Sequence, residues 1–183
     1  MEPGASLGDF WNEYAEPNLF FRGTKDGRFE NISPSTGAFC SRVEVSRSLA
    51  LGDLDRDGDV DCVVTNVDNM LRIFLNDAPQ AGSHWLQVRA RVHGRDAIGA
   101  DIELVAENTP QAKSWRRPLI GTYSYASGNE LATHFGLGTV DQVALARVRW
   151  PDGTREQFDV GSVDCVVTLQ AGTGTMLTGK DHE

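Results

Sequence analysis

Residues 53–61 read Asp53-Leu54-Asp55-Arg56-Asp57-Gly58-Asp59-Val60-Asp61, with an aspartate on every second position. So many carboxylates on a short stretch repel one another at neutral pH unless a cation sits among them. Calcium suits such a set, since it takes six to eight oxygens at about 2.3–2.6 Å and tolerates irregular geometry. The spacing predicts Asp53, Asp55 and Asp57 as side-chain ligands. Gly58 permits the sharp turn after them, Asp59 offers its backbone carbonyl, and Asp61 closes the cage. An EF-hand is excluded, because the bidentate Glu needed at loop position 12 is here Val64. The following Val60-Asp61-Cys62-Val63-Val64-Thr65 is β-branched and reads as a strand. The expectation is a calcium loop closed at its ninth residue with strands on both sides. A solvated acidic turn is the alternative.

The flanks of this loop carry a resemblance. Ser48-Leu49-Ala50-Leu51-Gly52-Asp53 before it, Val63-Val64-Thr65-Asn66 after it, and Met70-Leu71-Arg72-Ile73-Phe74-Leu75-Asn76 beyond are similar to the FG-GAP/VCBS repeat. That resemblance implies one blade of a β-propeller, with calcium held structurally by Asp53, Asp55, Asp57, Asp59 and Asp61. Propellers close with about four to eight blades, whereas residues 47–76 make one repeat and the stretch before them part of another. Open blades leave unpaired strand edges that invite association. The chain is therefore expected either to be the C-terminal part of a larger propeller, with further blades or self-association among its partners, or to pack its hairpins on its second half.

Composition narrows the partners. The net charge is −9 and the pI about 4.9, so nucleic acid and anionic membrane surfaces are expected to be repelled. No apolar run approaches the roughly 20 residues of a membrane helix, and no basic-then-apolar leader opens the sequence. The start reads as the interior of a longer protein or as a chain without its leader. Cys40, Cys62 and Cys165 fit no zinc spacing. Cys62 and Cys165 stand in apolar runs and are expected to be buried, and three thiols allow at most one bridge. Calcium at the low affinity of extracellular modules favours a secreted, periplasmic or cell-surface location.

Along the chain, residues 1–16 are poorly patterned and 17–76 form the repeat region. It opens with a hairpin turned by Lys25-Asp26-Gly27. In 70–76, Leu71, Ile73 and Leu75 alternate as a half-buried strand should. Residues 77–83 are a turn-rich linker, 84–172 a second domain and 173–183 a tail. In 84–92, Leu86, Val88, Ala90 and Val92 share one face and Gln87, Arg89 and Arg91 the other. In 98–106, Ile98, Ala100, Ile102, Leu104 and Ala106 share a face opposite Asp101 and Glu103. Antiparallel pairing across the His93–Asp96 turn would make those charges cross-strand partners. Further strands are expected near 112–117, 119–126, 131–136, 143–150, 155–160 and 163–169. With no helical period, the fold class is all-β: partial propeller blades with a calcium loop plus a C-terminal β-sandwich.

The second half resembles another family. Gly94-Arg95-Asp96-Ala97-Ile98-Gly99-Ala100, His134-Phe135-Gly136-Leu137-Gly138 and Val148-Arg149-Trp150-Pro151-Asp152-Gly153 are similar, in order, to three motifs of the ASPIC/UnbV domain. Gly94 replaces the Asn before Arg95, and Asp101 a basic residue. The resemblance carries over no catalytic residue, and it implies an extracytoplasmic setting.

Chemistry outside the loop is sparse. His134, Asp96 and Ser127 lack the spacing of a hydrolytic set, and no glycine-framed serine occurs. His134 reads as a strand-end residue that hydrogen-bonds a loop, and Trp150 as core. Arg116, Arg117, Tyr123 and Tyr125 form either a basic and aromatic patch or core tyrosines beside a solvated arginine pair. The expected function is a non-catalytic calcium-binding module for an extracellular protein or glycan. An accessory or catalytic part of a carbohydrate-active enzyme, and an architectural cap of a repeat array, are the rivals. A cleft gathering Arg116, Tyr123, His134 and a carboxylate would favour the enzyme.

Overall fold

The computed structural model describes residues 9–33, 37–67, 69–77, 82–107 and 112–177. It is built of strands, with an α-helical turn at Asp9–Asn12 and a 3-10 turn at Gly37–Phe39. In the first half, β1 (Glu16–Pro17) pairs with β4 (Val43–Glu44), and β2 (Phe21–Gly23) with β3 (Phe29–Asn31) across the expected Asp26-Gly27 turn. Next come β5 (Ser46–Gly52), β6 (Asp61–Asn66) and β7 (Arg72–Phe74), an antiparallel meander. Gly52 pairs with Asp61, so the acidic stretch is the connection of a hairpin with a strand on either side. The alternation in 70–76 holds, but its sense is reversed. Leu71, Ile73 and Leu75 are 52–57% exposed. The other face turns inward, where Phe74 packs on Phe39 with ring centroids 5.0 Å apart and Arg72 pairs with the buried Glu44.

The second half is a sandwich. One sheet runs β11 (Ser114–Pro118), β10 (Asp101–Val105), β13 (Gln142–Arg149), β14 (Arg155–Ser162) and β16 (Thr175–Met176). The other runs β12 (Thr133–Gly138), β8 (His84–Val92) and β15 (Cys165–Gln170), with β9 (Arg95–Asp96) on β8. Between them lies a core of Leu86, Val88, Ala90, Ile102, Leu104, Phe135, Leu137, Val148 and Trp150, all 2% exposed or less. The inward faces read from the alternation of 84–92 and 98–106 are those observed, except that Ile98 is exposed.

Two strand readings fail for local reasons. β8 does not pair with β10. His93 and Gly94 take positive φ and turn the chain so tightly that only Arg95 and Asp96 pair back on β8. Ala97 then bonds Ala90 and Ala100 bonds Ala97, and the chain crosses to the other sheet. Alternation fixes which face a residue takes, not which strand lies beside it. The expected charge pairing is therefore redistributed. Arg91 meets Asp96 at 3.6 Å and Arg89 meets Glu130 at 2.5 Å, while Asp101 takes Arg116 and Arg149, and Glu103 takes Arg147. Residues 119–126 form no strand. The hydroxyls of Thr122 and Ser127 both donate to the Ser124 carbonyl, and Ala126 has φ +51°. Tyr123 and Tyr125 are exposed, not core. All three cysteines are free thiols, and Cys62 and Cys165 are only partly buried.

The Asp101 cluster gives a pH prediction. The side-chain hydrogen bond from Arg116, aided by Arg149, holds the Asp101 carboxyl below the usual carboxylate range. A depressed folded-state pKa adds stability above the unfolded value of about 3.9, lost as pH falls toward the folded one. Wild type should therefore lose thermal stability more steeply below about pH 4 than Asp101→Asn, measured by calorimetric melts at matched ionic strength.

Candidate metal site and the cleft beside it

The β5–β6 hairpin brings three of the five aspartates together. Asp53, Asp55 and Asp61 each offer a carboxylate oxygen, all within 4.8 Å of one another. The loop backbone produces this convergence. Asp53 Oδ2 accepts the Gly58 amide at 3.1 Å, and Asp55 Oδ1 accepts that of Asp57 at 3.3 Å. Arg56 (φ +64°) and Gly58 (φ +94°) supply the left-handed steps that wrap the chain. Asp61 is 1% exposed and fully engaged, its Oδ2 accepting from Leu54 N at 2.7 Å and its Oδ1 from Asn76 N at 2.8 Å. Asp57 and Asp59 lie outside the cluster. Asp57 turns to its own loop and accepts the Asp59 amide at 2.9 Å. The Asp59 carboxyl is pushed up by burial first, then by the charge of Asp57, with Asp61 and Asp53 adding and His134 opposing.

The donor set fits a hard cation. Every candidate ligand is oxygen, and Asp53 Oδ1 is buried with no hydrogen-bond partner. A buried carboxylate oxygen left this way is costly, and a cation at the convergence would satisfy it. Asp53, Asp55 and Asp61 would hold calcium there, with further oxygens from the loop.

The same loop docks on the sandwich. Gly58 is buried, and a Cβ on it would lie 2.0 Å from Trp85 Cε2. Its carbonyl accepts the His134 Nε2 proton at 2.7 Å, which fixes that tautomer, and the His134 ring stacks on Trp85 at 6.2 Å. Three further bonds tie the root of the hairpin. Leu51 N donates to Asn129 Oδ1 (3.0 Å), Glu130 N to Leu51 O (2.9 Å), and Asp53 N to Glu130 Oε2 (3.2 Å). Glu130 Oε1 is in turn held by Arg89.

A cleft of about 110 Å³ runs along this junction, lined among others by Asp53, Arg117, Tyr123, Glu130, Thr133 and His134. Arg117 stands there in place of Arg116, which takes the opposite face of the same strand and is bound to Asp101. The side chains considered for hydrolysis are engaged separately: His134 with Gly58, Asp96 with Arg91, and Ser127 with Ser124. His134 is the loop-bonding residue expected at a strand end. Sequence reasoning missed Trp85, Asn129 and Glu130 as its companions, because no spacing links positions so far apart in the chain.

Residues 91–176 match the family described as ASPIC and UnbV. This segment is an ASPIC/UnbV domain. The chain is also similar to human cartilage acidic protein 1, with 31% identity over 114 residues, which is 60% of this chain and 16% of that protein. The chain thus spans a small part of that relative. The motifs of the ASPIC/UnbV domain acquire physical roles here. Gly94 to Ala100 make the turn that switches sheets, and Trp150 to Gly153 close the β13–β14 hairpin, with Gly153 at φ +88°. His134 to Gly138 bury Phe135 and Leu137 while leaving His134 to meet the acidic loop. The ASPIC/UnbV domain therefore supplies Asn129, Glu130 and His134 to the junction.

Proposed function

We propose that this chain is a calcium-stabilised, extracytoplasmic binding module. Its 53–61 loop holds the ion structurally, and its ligand is an extracellular protein or glycan. The observation that carries this reading is the convergence of Asp53, Asp55 and Asp61 around a buried, unpartnered carboxylate oxygen. Asp57 and the Asp59 carbonyl complete the ligand set as the loop closes on the ion. The ion neutralises the loop and so holds Gly58 in its seat between Trp85 and His134. The similarity to human cartilage acidic protein 1 and the ASPIC/UnbV domain support the extracytoplasmic setting. Among the described residues no helix is long and apolar enough to cross a membrane.

Calcium about 100-fold above its Kd adds about 2.7 kcal/mol to a fold that alone binds it. EDTA should therefore lower the Tm of wild type by several degrees. Asp55→Ala and Asp57→Ala should lack the calcium-dependent rise, and calorimetric titration should give one site. An unchanged Tm across all four conditions would remove the ion from the reading.

A second reading, the cap of a repeat array, has its own support. Leu71, Ile73 and Leu75 present an apolar outer face on β7, whose far edge is unpaired among the described residues. Such a face fits the FG-GAP/VCBS-like blade, which would lay it against a neighbour. Leu71→Lys/Ile73→Lys should leave the monomer's Tm within about 2 °C, as surface changes do. The same variant should abolish any concentration-dependent association seen by sedimentation.

A further inference from the structure

We infer that the outer face of the five-stranded sheet is a binding site for acidic polysaccharide, read through opposed arginine side chains. Cross-strand partners share a face, and the register places Asp101, Arg149 and Arg155 in one row and Arg116, Glu103 and Arg147 in the next. These six side chains line a concavity of about 270 Å³. On a chain of net charge −9, the lining of this concavity carries four arginines against two carboxylates.

The pairing within the face uses the two carboxylates unevenly. Asp101 is shared by Arg116, bidentate at 2.5–3.0 Å, and Arg149 at 3.4 Å, while Glu103 takes Arg147 at 3.4 Å. Arg155 stands directly opposite Arg149 and has no carboxylate partner among the described residues. Like charges directly opposite on neighbouring strands destabilise a sheet. An oxyanion between the two guanidinium forks replaces that repulsion with charge-assisted, potentially bidentate bonds.

The surroundings favour a polysaccharide over a peptide. Leu177 and the buried Val148 are the apolar residues lining the concavity, so it offers none of the exposed aromatic anchors that carry protein interfaces. Arg149 and Arg155 stand on β13 and β14, which lie inside the sheet, β14 being covered by β16 at Glu156 and Gln157, so a peptide cannot add beside them as a strand. A chain of sugars bearing sulfate esters or carboxylates needs neither anchor nor edge. The site lies on the ASPIC/UnbV domain and does not depend on the cation proposed for the acidic loop.

The test is binding to immobilised dextran sulfate, polygalacturonate, neutral dextran and poly-Glu, in EDTA at low salt. Wild type is expected to bind at least one of the two acidic polysaccharides saturably, and which one names the acid group. Arg155→Gln breaks no ion pair and relieves the repulsion with Arg149, so it should keep or slightly raise the wild-type Tm, yet weaken binding about tenfold, the effect of one lost charge-assisted contact. Arg155→Lys should recover only part of that loss. Arg149→Gln/Arg155→Gln should abolish binding, and Arg22→Gln/Arg28→Gln, an exposed pair on the distant hairpin, should bind as wild type does. The inference is overturned if neither acidic polysaccharide binds, if poly-Glu or neutral dextran binds equally well, or if Arg155→Gln binds unchanged. Because every arm contains EDTA, this result is independent of the loop's cation, and the two readings fail separately.

Discussion

Gly58→Ala is expected to lower the Tm by roughly 5–10 °C, the largest effect of a glycine-to-alanine change among the described residues. Two terms add. A left-handed backbone costs an L-residue about 1–2 kcal/mol, and Gly58 sits at φ +94°. The new Cβ would also lie 2.0 Å from the Trp85 ring, so the loop must lift off or the indole must move. Overpacking of this kind costs about 1–3 kcal/mol. Controls separate the terms. Gly94→Ala, at φ +77° with open space around it, should show the backbone term alone. Trp85→Ala in the Gly58→Ala background should recover part of the loss, since the ring it struck is gone. If Gly58→Ala is no worse than Gly94→Ala, the loop does not seat against the indole.

The second large effect is expected at Asp61, and it separates architecture from metal. Both Asp61 oxygens accept backbone amides, from Leu54 and Asn76, in a buried setting. Hydrogen bonds to a charged acceptor contribute about 1.5–3 kcal/mol each, so Asp61→Ala should cost about 3–5 kcal/mol even in EDTA. Asp61→Asn should recover at most half, because its amide can accept only through one atom and would point a donor at the other N–H. Asp55→Ala, whose carboxylate is exposed and holds one long bond, should be silent in EDTA and felt only with calcium. Denaturant melts of the three variants with and without calcium make the comparison. A cost under about 1 kcal/mol for Asp61→Ala in EDTA would mean that the carboxylate serves no backbone role.

Much of this arrangement was legible because the residues act locally. Alternate aspartates and a glycine can hardly be anything but a turn. The β-branched run after them had to be a strand, and it is β6. Motifs around Gly94, His134 and Pro151 likewise specify turns and strand ends, which depend on a few neighbouring dihedrals. What could not be read was partnership. Alternation in 84–92 and 98–106 told which residues face inward, yet two positive-φ residues sent the second strand to the other sheet. Tyr123 and Tyr125 imitated a strand's period, but hydroxyl bonds from Thr122 and Ser127 coil that stretch into a loop. In 70–76 the apolar positions were clear, but period two does not say which face is inside. Burial of Glu44 with Arg72 takes the inner face and leaves the leucines outward.

The parallel pairing of β15 with β8 has a consequence for synthesis. β8 opens the sandwich, and its neighbour arrives only about eighty residues later. A ribosome must therefore release nearly the whole domain before its second sheet can be completed. Pairing of segments so distant in sequence is slow, because the intervening loop entropy is lost before contacts compensate. Meanwhile the nascent β8, with Leu86, Val88 and Ala90 on its core face, waits with an open flank. A truncation that removes β15 should thus yield a chain that stalls unfinished on chaperones, not a smaller stable domain.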